Sequence, residues 1–205
     1  MRPLGNGAIP DNAHMTKNMS IQSGTLKFYS QIRRKGGGTV DQLDAPVAAS
    51  QTINKGDWLK LSSGKVAQAI TKSVSANTAG LAGGSPGLFA YALGSITTDA
   101  NGVATDGTGR TTLPVALLND DTEIMLGLYN STAGSSTQGT AGTNLGSNFD
   151  LAIVTGAAIT QWTYAMSTTT TAPCLTLIEK SPESTTNELY GFVWVKPSAS
   201  ARVGA

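Results

Sequence analysis

Charge is scarce in this chain. Only 13% of its 205 residues are Asp, Glu, Lys or Arg, about half the ~25% usual for a soluble globular domain, so the surface must be built from something else. Cysteine and histidine are scarcer still. The single Cys174 excludes an intrachain disulfide and is expected as a buried thiol in a strand. The single His14 sits in a segment without hydrophobic pattern, so a Ser-His-Asp or Cys-His arrangement would lack a positioned base. One histidine with one cysteine cannot complete a tetrahedral zinc site. The expectation is a protein that is not an enzyme, with no catalytic residues, no cofactor and no metal ligands.

Long apolar runs are missing as well. No segment approaches the ~18 consecutive apolar residues of a membrane helix, and no apolar stretch of ~7–15 residues follows Arg2, so neither a membrane partner nor a secretory leader is expected. Synthesis in a host cytoplasm follows. Phosphate-loop chemistry is absent: Gly64-Lys65 lacks the upstream glycine and the following hydroxyl. Asp99, Asn101 and Asp106, or the run Asn119–Glu123, offer oxygen ligands without the spacing of a calcium loop, and turn chemistry accounts for both.

What the chain does have is 24 glycines and abundant Ser and Thr, whose hydroxyls compete for backbone hydrogen bonds and favour turns and strands over helices. Its length suits one sizeable core. Leu26, Phe28 and Ile32 alternate through 24–35 with Lys27, Tyr29, Gln31 and Arg33 on the other face, and Gly36-Gly37-Gly38 ends that strand. Residues 56–61 and 66–70, joined by Ser62–Lys65, read as a hairpin. Further strands are expected at Leu88–Leu93, Leu113–Leu118, Glu123–Tyr129, Leu151–Thr155, Gln161–Met166, Cys174–Glu179 and Leu189–Val195. A long loop with Asn-Gly and Asp-Gly turns spans Thr98–Arg110. Pro114 lacks an amide donor and predicts an edge strand or a strand start. Eight or nine short strands without alternating helices indicate an all-β barrel or sandwich.

The domain occupies 24–197 and includes a Gly/Ser/Thr loop at 131–148. It is preceded by an N-terminal arm, 1–23, and followed by a C-terminal tail, 198–205. Polar ends of this kind become ordered when a neighbour holds them, so both are expected to lie on adjacent subunits. Charge is distributed to match. Up to Lys72 the chain has ten basic and four acidic residues, a balance of +6, and the remainder has four basic and nine acidic, a balance of −5. Such opposition suits contacts between copies or docking of a basic arm on an acidic surface, with Arg2, Lys17, Lys27, Arg33, Arg34 and Lys35 as candidate partner-binding residues. A three-residue basic run is too little for a nucleic-acid interface. Trp58, Trp162, Tyr190, Phe192 and Trp194 are core or interface aromatics. In 189–195, Tyr190, Phe192 and Trp194 share one face and Leu189, Val193 and Val195 the other, so neither side suits water.

Gly56-Asp57-Trp58-Leu59-Lys60-Leu61, then Gly64-Lys65-Val66, Ala79–Gly83, Ala92-Leu93-Gly94 and Leu113-Pro114-Val115, resemble the small β-barrel proteins that decorate the capsids of tailed bacteriophages. The likeness covers 56–70 and 79–129. It implies a virion component on the capsid exterior, acting as a cement protein that binds the major capsid protein at local symmetry axes, in copies associated as a trimer, and ties neighbouring subunits together. Two other readings fit the residues. One is a tail, fibre or head-fibre base protein contacting host glycans, and the other is a carbohydrate-binding module on the aromatic strands.

Overall fold

The computed structural model describes residues 31–69, 87–129, 145–156, 159–167, 173–180 and 192–202. Fourteen strands and one short 3-10 turn make up the regular structure there, and no α-helix occurs among the described residues. The protein is all-β, as the Gly, Ser and Thr content predicts. The strand count exceeds the eight or nine expected because pairs such as β3 (Thr52–Ile53), β7 (Ile96–Thr97) and β10 (Asn148–Phe149) are too short to show a periodicity.

A five-stranded antiparallel sheet has the order β2 (Gln42–Pro46), β8 (Thr112–Leu117), β6 (Leu88–Ala92), β4 (Trp58–Ser62), β5 (Lys65–Gln68). The β4–β5 hairpin is tighter than the expected four-residue loop. Ser62 pairs with Lys65, leaving Ser63 and Gly64 at φ 50° and 76°, the doubly left-handed turn whose twist matches the flanking strands. Val47, just beyond the outer strand β2, makes one bridge to Val66 of the other outer strand, β5. One bridge does not close a ladder, and the fold is a sandwich, not a closed barrel.

The second sheet has seven strands. Along it run β10, β13 (Leu175–Lys180), β14 (Phe192–Pro197), β9 (Thr122–Tyr129), β12 (Ile159–Ser167) and β11 (Leu151–Gly156), and β1 (Ile32–Arg34) also pairs with β9. Strand β9 organises it. Its first half takes β1, antiparallel with Arg33 opposite Glu123, and its last three residues take β12 in parallel.

Between the sheets lies the main core. Trp58, Leu88, Tyr91 and Ala116 from the five-stranded sheet meet Ile124, Leu126, Leu151, Leu177, Val193 and Val195 from the seven-stranded one. Each large aliphatic side chain buried there contributes ~1.5–3 kcal/mol. The other face of the five-stranded sheet is also covered: Leu59, Val66, Ala90, Ala92, Leu113 and Val115 pack with Ile53 and Ile96 of the β3–β7 pair.

Pro114 is the exception to its prediction. Strand β8 is interior, paired with β2 on one side and β6 on the other. Towards β2, Leu117 donates to the Asp41 carbonyl and Val47 to the Thr111 carbonyl, which places Pro114 in a pair that needs no amide donor. Towards β6, Leu93 donates to the Pro114 carbonyl at 3.0 Å. No return bond can form, and β6 ends one residue earlier, at Ala92.

The expected C-terminal tail is partly folded in. Ser198 and Ala201 are buried, Arg202 bridges to Leu88, and its guanidinium meets Asp120 at 2.8 Å. The arm 1–23 and most of the loop 131–148 lie outside the described residues.

The Thr98–Arg110 connection is a chain of turns on Gly102 and Gly107, both left-handed at φ 81° and 78°. A Cβ on Gly102 would stand 3.1 Å from the Val47 carbonyl, whereas one on Gly107 would meet nothing. Gly107→Ala should therefore cost about 1–2 kcal/mol for its backbone alone, and Gly102→Ala distinctly more. Urea denaturation of the two variants checks this, and equal losses would show that the Val47 contact yields freely.

Candidate functional site

The densest set of charged and aromatic groups lies on the outer face of the seven-stranded sheet. Register brings them together: Arg33 opposes Glu123, Trp194 opposes Met125, and Glu179 opposes Trp194. Residues two apart on a strand share a face, so Glu123 and Met125 both belong to this row. Arg33 Nε donates to Glu123 at 2.6 Å and its Nη2 to Glu179 at 2.7 Å. Between those contacts the guanidinium carbon lies 3.7 Å from the centre of the Trp194 ring. A planar, delocalised cation is suited to both tasks at once.

Arg33 thereby ties β1, β9, β13 and β14 together and covers a small apolar cluster of Met125, Phe192 and Trp194. That cluster resolves the two-sided apolar pattern of the last strand. Val193 and Val195 face the main core, while Phe192 and Trp194 lie on the outside, with Trp194 only 8% exposed. Glu123, 5% exposed, is a carboxylate with Arg33 at close range. Partial burial disfavours the Arg33 charge, but the hydrogen bonds and charges of Glu179 and Glu123 outweigh it and raise the guanidinium pKa.

Beside this row the chain turns through Lys35 and three glycines, all left-handed, and borders an open cleft of about 360 Å³ lined by Arg33–Gly38 and Glu123. Arg34 reaches Asp41 at 3.7 Å and Asp121 at 3.9 Å. The basic run is therefore ringed by four carboxylates, Asp41, Asp121, Glu123 and Glu179, and is not the unopposed cationic patch that the sequence suggests. Arg33 is occupied within the fold. Arg2, Lys17 and Lys27 lie outside the described residues.

Of the other aromatics, Trp58 is fully buried between the sheets, edge-on to Tyr91 with ring centres 6.3 Å apart. Its indole Nε1 has no hydrogen-bond partner. Trp162 lies on β12, with its side chain outside the described set, and Tyr190 falls outside it altogether. Sequence reasoning missed Glu179 and Met125 and weighed Glu123 only as an oxygen ligand; they stand 146, 92 and 90 residues from Arg33. No local spacing marks them.

Of the groups weighed as calcium ligands, Asp99, Asp106 and Asn119 are spent on their own turns, whereas Asp120, Asp121 and Glu123 pair with Arg202, Arg34 and Arg33. Asp99 Oδ1 accepts the amides of Asn101 and Val103 at 2.8 and 2.9 Å. Asp106 accepts the Thr108 amide at 3.0 Å and pairs with Arg110 at 2.9 Å. Asn119 Oδ1 accepts the Asp121 amide at 3.0 Å. No cluster of three metal-ligating side chains occurs among the described residues. Cys174 is buried as expected, and burial pushes its thiol up to about 12.

The residues that carry the phage resemblance have structural tasks. Gly56, at φ 94°, lets Tyr91 approach, since a Cβ there would stand 3.3 Å from the phenol oxygen. Asp57 accepts the Asn54 amide at 2.9 Å. No family model, curated protein or solved structure matches the chain.

Four outcomes are expected. Trp194→Ala should cost ~3–5 kcal/mol, and Arg33→Lys should retain less stability than charge conservation implies because the fork and the stack are lost. Chemical denaturation measures both, and a wild-type midpoint in either variant removes the clamp from the account. The Cys174 thiol should stay unreactive towards a thiol reagent at neutral pH until the protein unfolds. Hydrogen bonds from Thr108 and Arg110 lower the Asp106 pKa to about 2. Its contribution is therefore complete above the unfolded value of ~3.9 and fades as pH falls through about 2, which a carboxyl-carbon NMR titration would follow.

Proposed function

We propose that this protein is a virion structural component that decorates the outside of a tailed-phage capsid and bridges neighbouring capsid subunits. The observation that carries this reading is the sequence likeness over 56–70 and 79–129. Where those stretches fall on described residues, they run from β4 to β9, with β4, β5, β6 and β8 in the five-stranded sheet, β7 in the β3–β7 pair and β9 in the seven-stranded sheet. Gly56 and Asp57, two of the residues that carry the likeness, shape the turn before β4.

The partners in this reading are the major capsid protein and further copies of the chain, associated as a trimer. Binding acts by mass action. A ligand that binds the assembled shell and not its free subunits stabilises the shell by its own binding free energy, and arms lying across two subunits raise the effective concentration of each contact. A surface poor in charge suits close packing on a neighbour, where each unpaired buried charge would be costly.

The test is co-sedimentation of purified protein with shells of the phage that encodes it, followed by low-resolution imaging. Density at symmetry-related positions on the shell exterior is expected, with a trimer by light scattering. Deleting residues 1–23 should leave the circular dichroism of the β-domain unchanged and weaken shell binding. Replacing Arg34 and Lys35 by Ala should weaken docking mainly at low ionic strength, because exposed charges are screened beyond ~8 Å at physiological salt. No binding to shells, or specific capture on a glycan array instead, would overturn the reading.

A further inference from the structure

The turn after β1 combines three features found together nowhere else among the described residues. Arg33-Arg34-Lys35 is the one run of consecutive basic residues in the whole chain. It leads directly into Gly36-Gly37-Gly38, and Lys35 and all three glycines are exposed. No atom lies within 4 Å of where a Cβ on any of these glycines would stand. Opening this turn therefore removes no side-chain packing. Its backbone is held by the Lys35 amide donating to the Asp121 carbonyl at 2.7 Å and the Gly37 amide donating to the Arg34 carbonyl at 3.0 Å.

We propose that the Lys35–Gly36 bond is a processing site for a trypsin-class endoprotease, and that the cleaved chain remains assembled. Such an enzyme needs a basic side chain at the scissile carbonyl and a backbone that can be drawn out extended. Exposed tips of small residues are where chains meet that need. Lys35 supplies the charge, and the three glycines supply the freedom of movement. In the hydrolysis the Lys35–Gly36 C–N bond breaks, the oxygen of water becomes part of the Lys35 carboxylate, and Gly36 leaves as a free amine.

Retention follows from the adjacent clamp. On the N-terminal side of the cut, Ile32, Arg33 and Arg34 stay in register with Ile124, Glu123 and Thr122. Arg33 keeps its bonds to Glu123 and Glu179 and its stack on Trp194. Cleavage would thus convert a covalent link between the arm and the sandwich into a non-covalent strand pairing.

Other lysines on the protein give an internal standard. Lys60 and Lys65 are exposed too, but both lie in the paired hairpin β4–β5. The full-length protein would be treated with trypsin under native conditions and each bond followed by mass spectrometry. The bond after Lys35 should be cut at least about ten-fold faster than those after Lys60 and Lys65, since cleavage follows the population of the locally opened chain. The fragment ending at Lys35 should co-elute with the sandwich on size exclusion. Lys35→Gln should abolish that product without altering the fold. Arg33→Ala should leave the cut in place but let the fragment separate, and Glu179→Gln, which removes the more exposed partner, should loosen it to a lesser degree. Comparable rates at Lys35, Lys60 and Lys65 would overturn the site, and immediate loss of the fragment from the wild-type chain would overturn the retention.

Discussion

The inner strands of the five-stranded sheet are covered on both faces, and that constraint governs much of the molecule. One side meets the seven-stranded sheet and the other meets the β3–β7 pair and its flanking turns. Its inner strands must therefore be apolar in both directions. Strand β6, Leu-Phe-Ala-Tyr-Ala, sends Leu88 and Tyr91 one way and Ala90 and Ala92 the other. Among these four the small residues face the β3–β7 side and the large ones face the other sheet. Strand β8 reverses the sizes, with Leu113 and Val115 towards the β3–β7 side and Ala116 towards the other sheet. Polar backbone is satisfied by the ladder itself, so the interior needs few side-chain hydrogen bonds.

How much of this was legible depended on whether the signal was local. The β4–β5 hairpin, the turns of Thr98–Arg110 and the buried state of Cys174 follow from neighbouring residues, and the sequence exposes them. Pro114 misled because a missing donor is read as an edge, while the register of β8 places that gap where one ladder requires nothing and the other stops. The basic run misled for a different reason. Arg33 looks solvated from its neighbours alone, and its partners lie on strands that folding brings from far along the chain. Burial of Ser198 and Ala201 was hidden because small residues look the same in a tail and in a close-packed corner.

A chain with so few charges places several of them within itself. Arg33, Glu123 and Glu179 close the outer apolar cluster, Arg110 and Asp106 fasten a turn, and Arg202 with Asp120 anchors the segment after β14. Between Asp150 and Glu179 there is no ionisable side chain apart from Cys174 and Tyr164, and β11, β12 and most of β13 fall in that stretch. The cohesion of that part of the sheet comes from backbone pairing and apolar contact, which respond little to salt. On the decoration reading, a scaffold of this kind leaves the few exposed charges to tune docking without disturbing the fold.

The order of strands across the larger sheet also sets an order in time. Strand β14 lies between β13 and β9 and pairs with both, yet it follows both in sequence. Until residues 192–197 have left the ribosome, two strand edges wait without their common neighbour, and Val193 and Val195 are missing from the core. The five-stranded sheet has no such dependence, because all of its strands lie between Gln42 and Leu117. During synthesis that sheet is free to form first and to offer Trp58, Leu88 and Tyr91 as a template. The seven-stranded sheet is sealed by a strand inserted at its middle rather than added at its rim, so the long-range closure that slows β-proteins waits for residues 192–197.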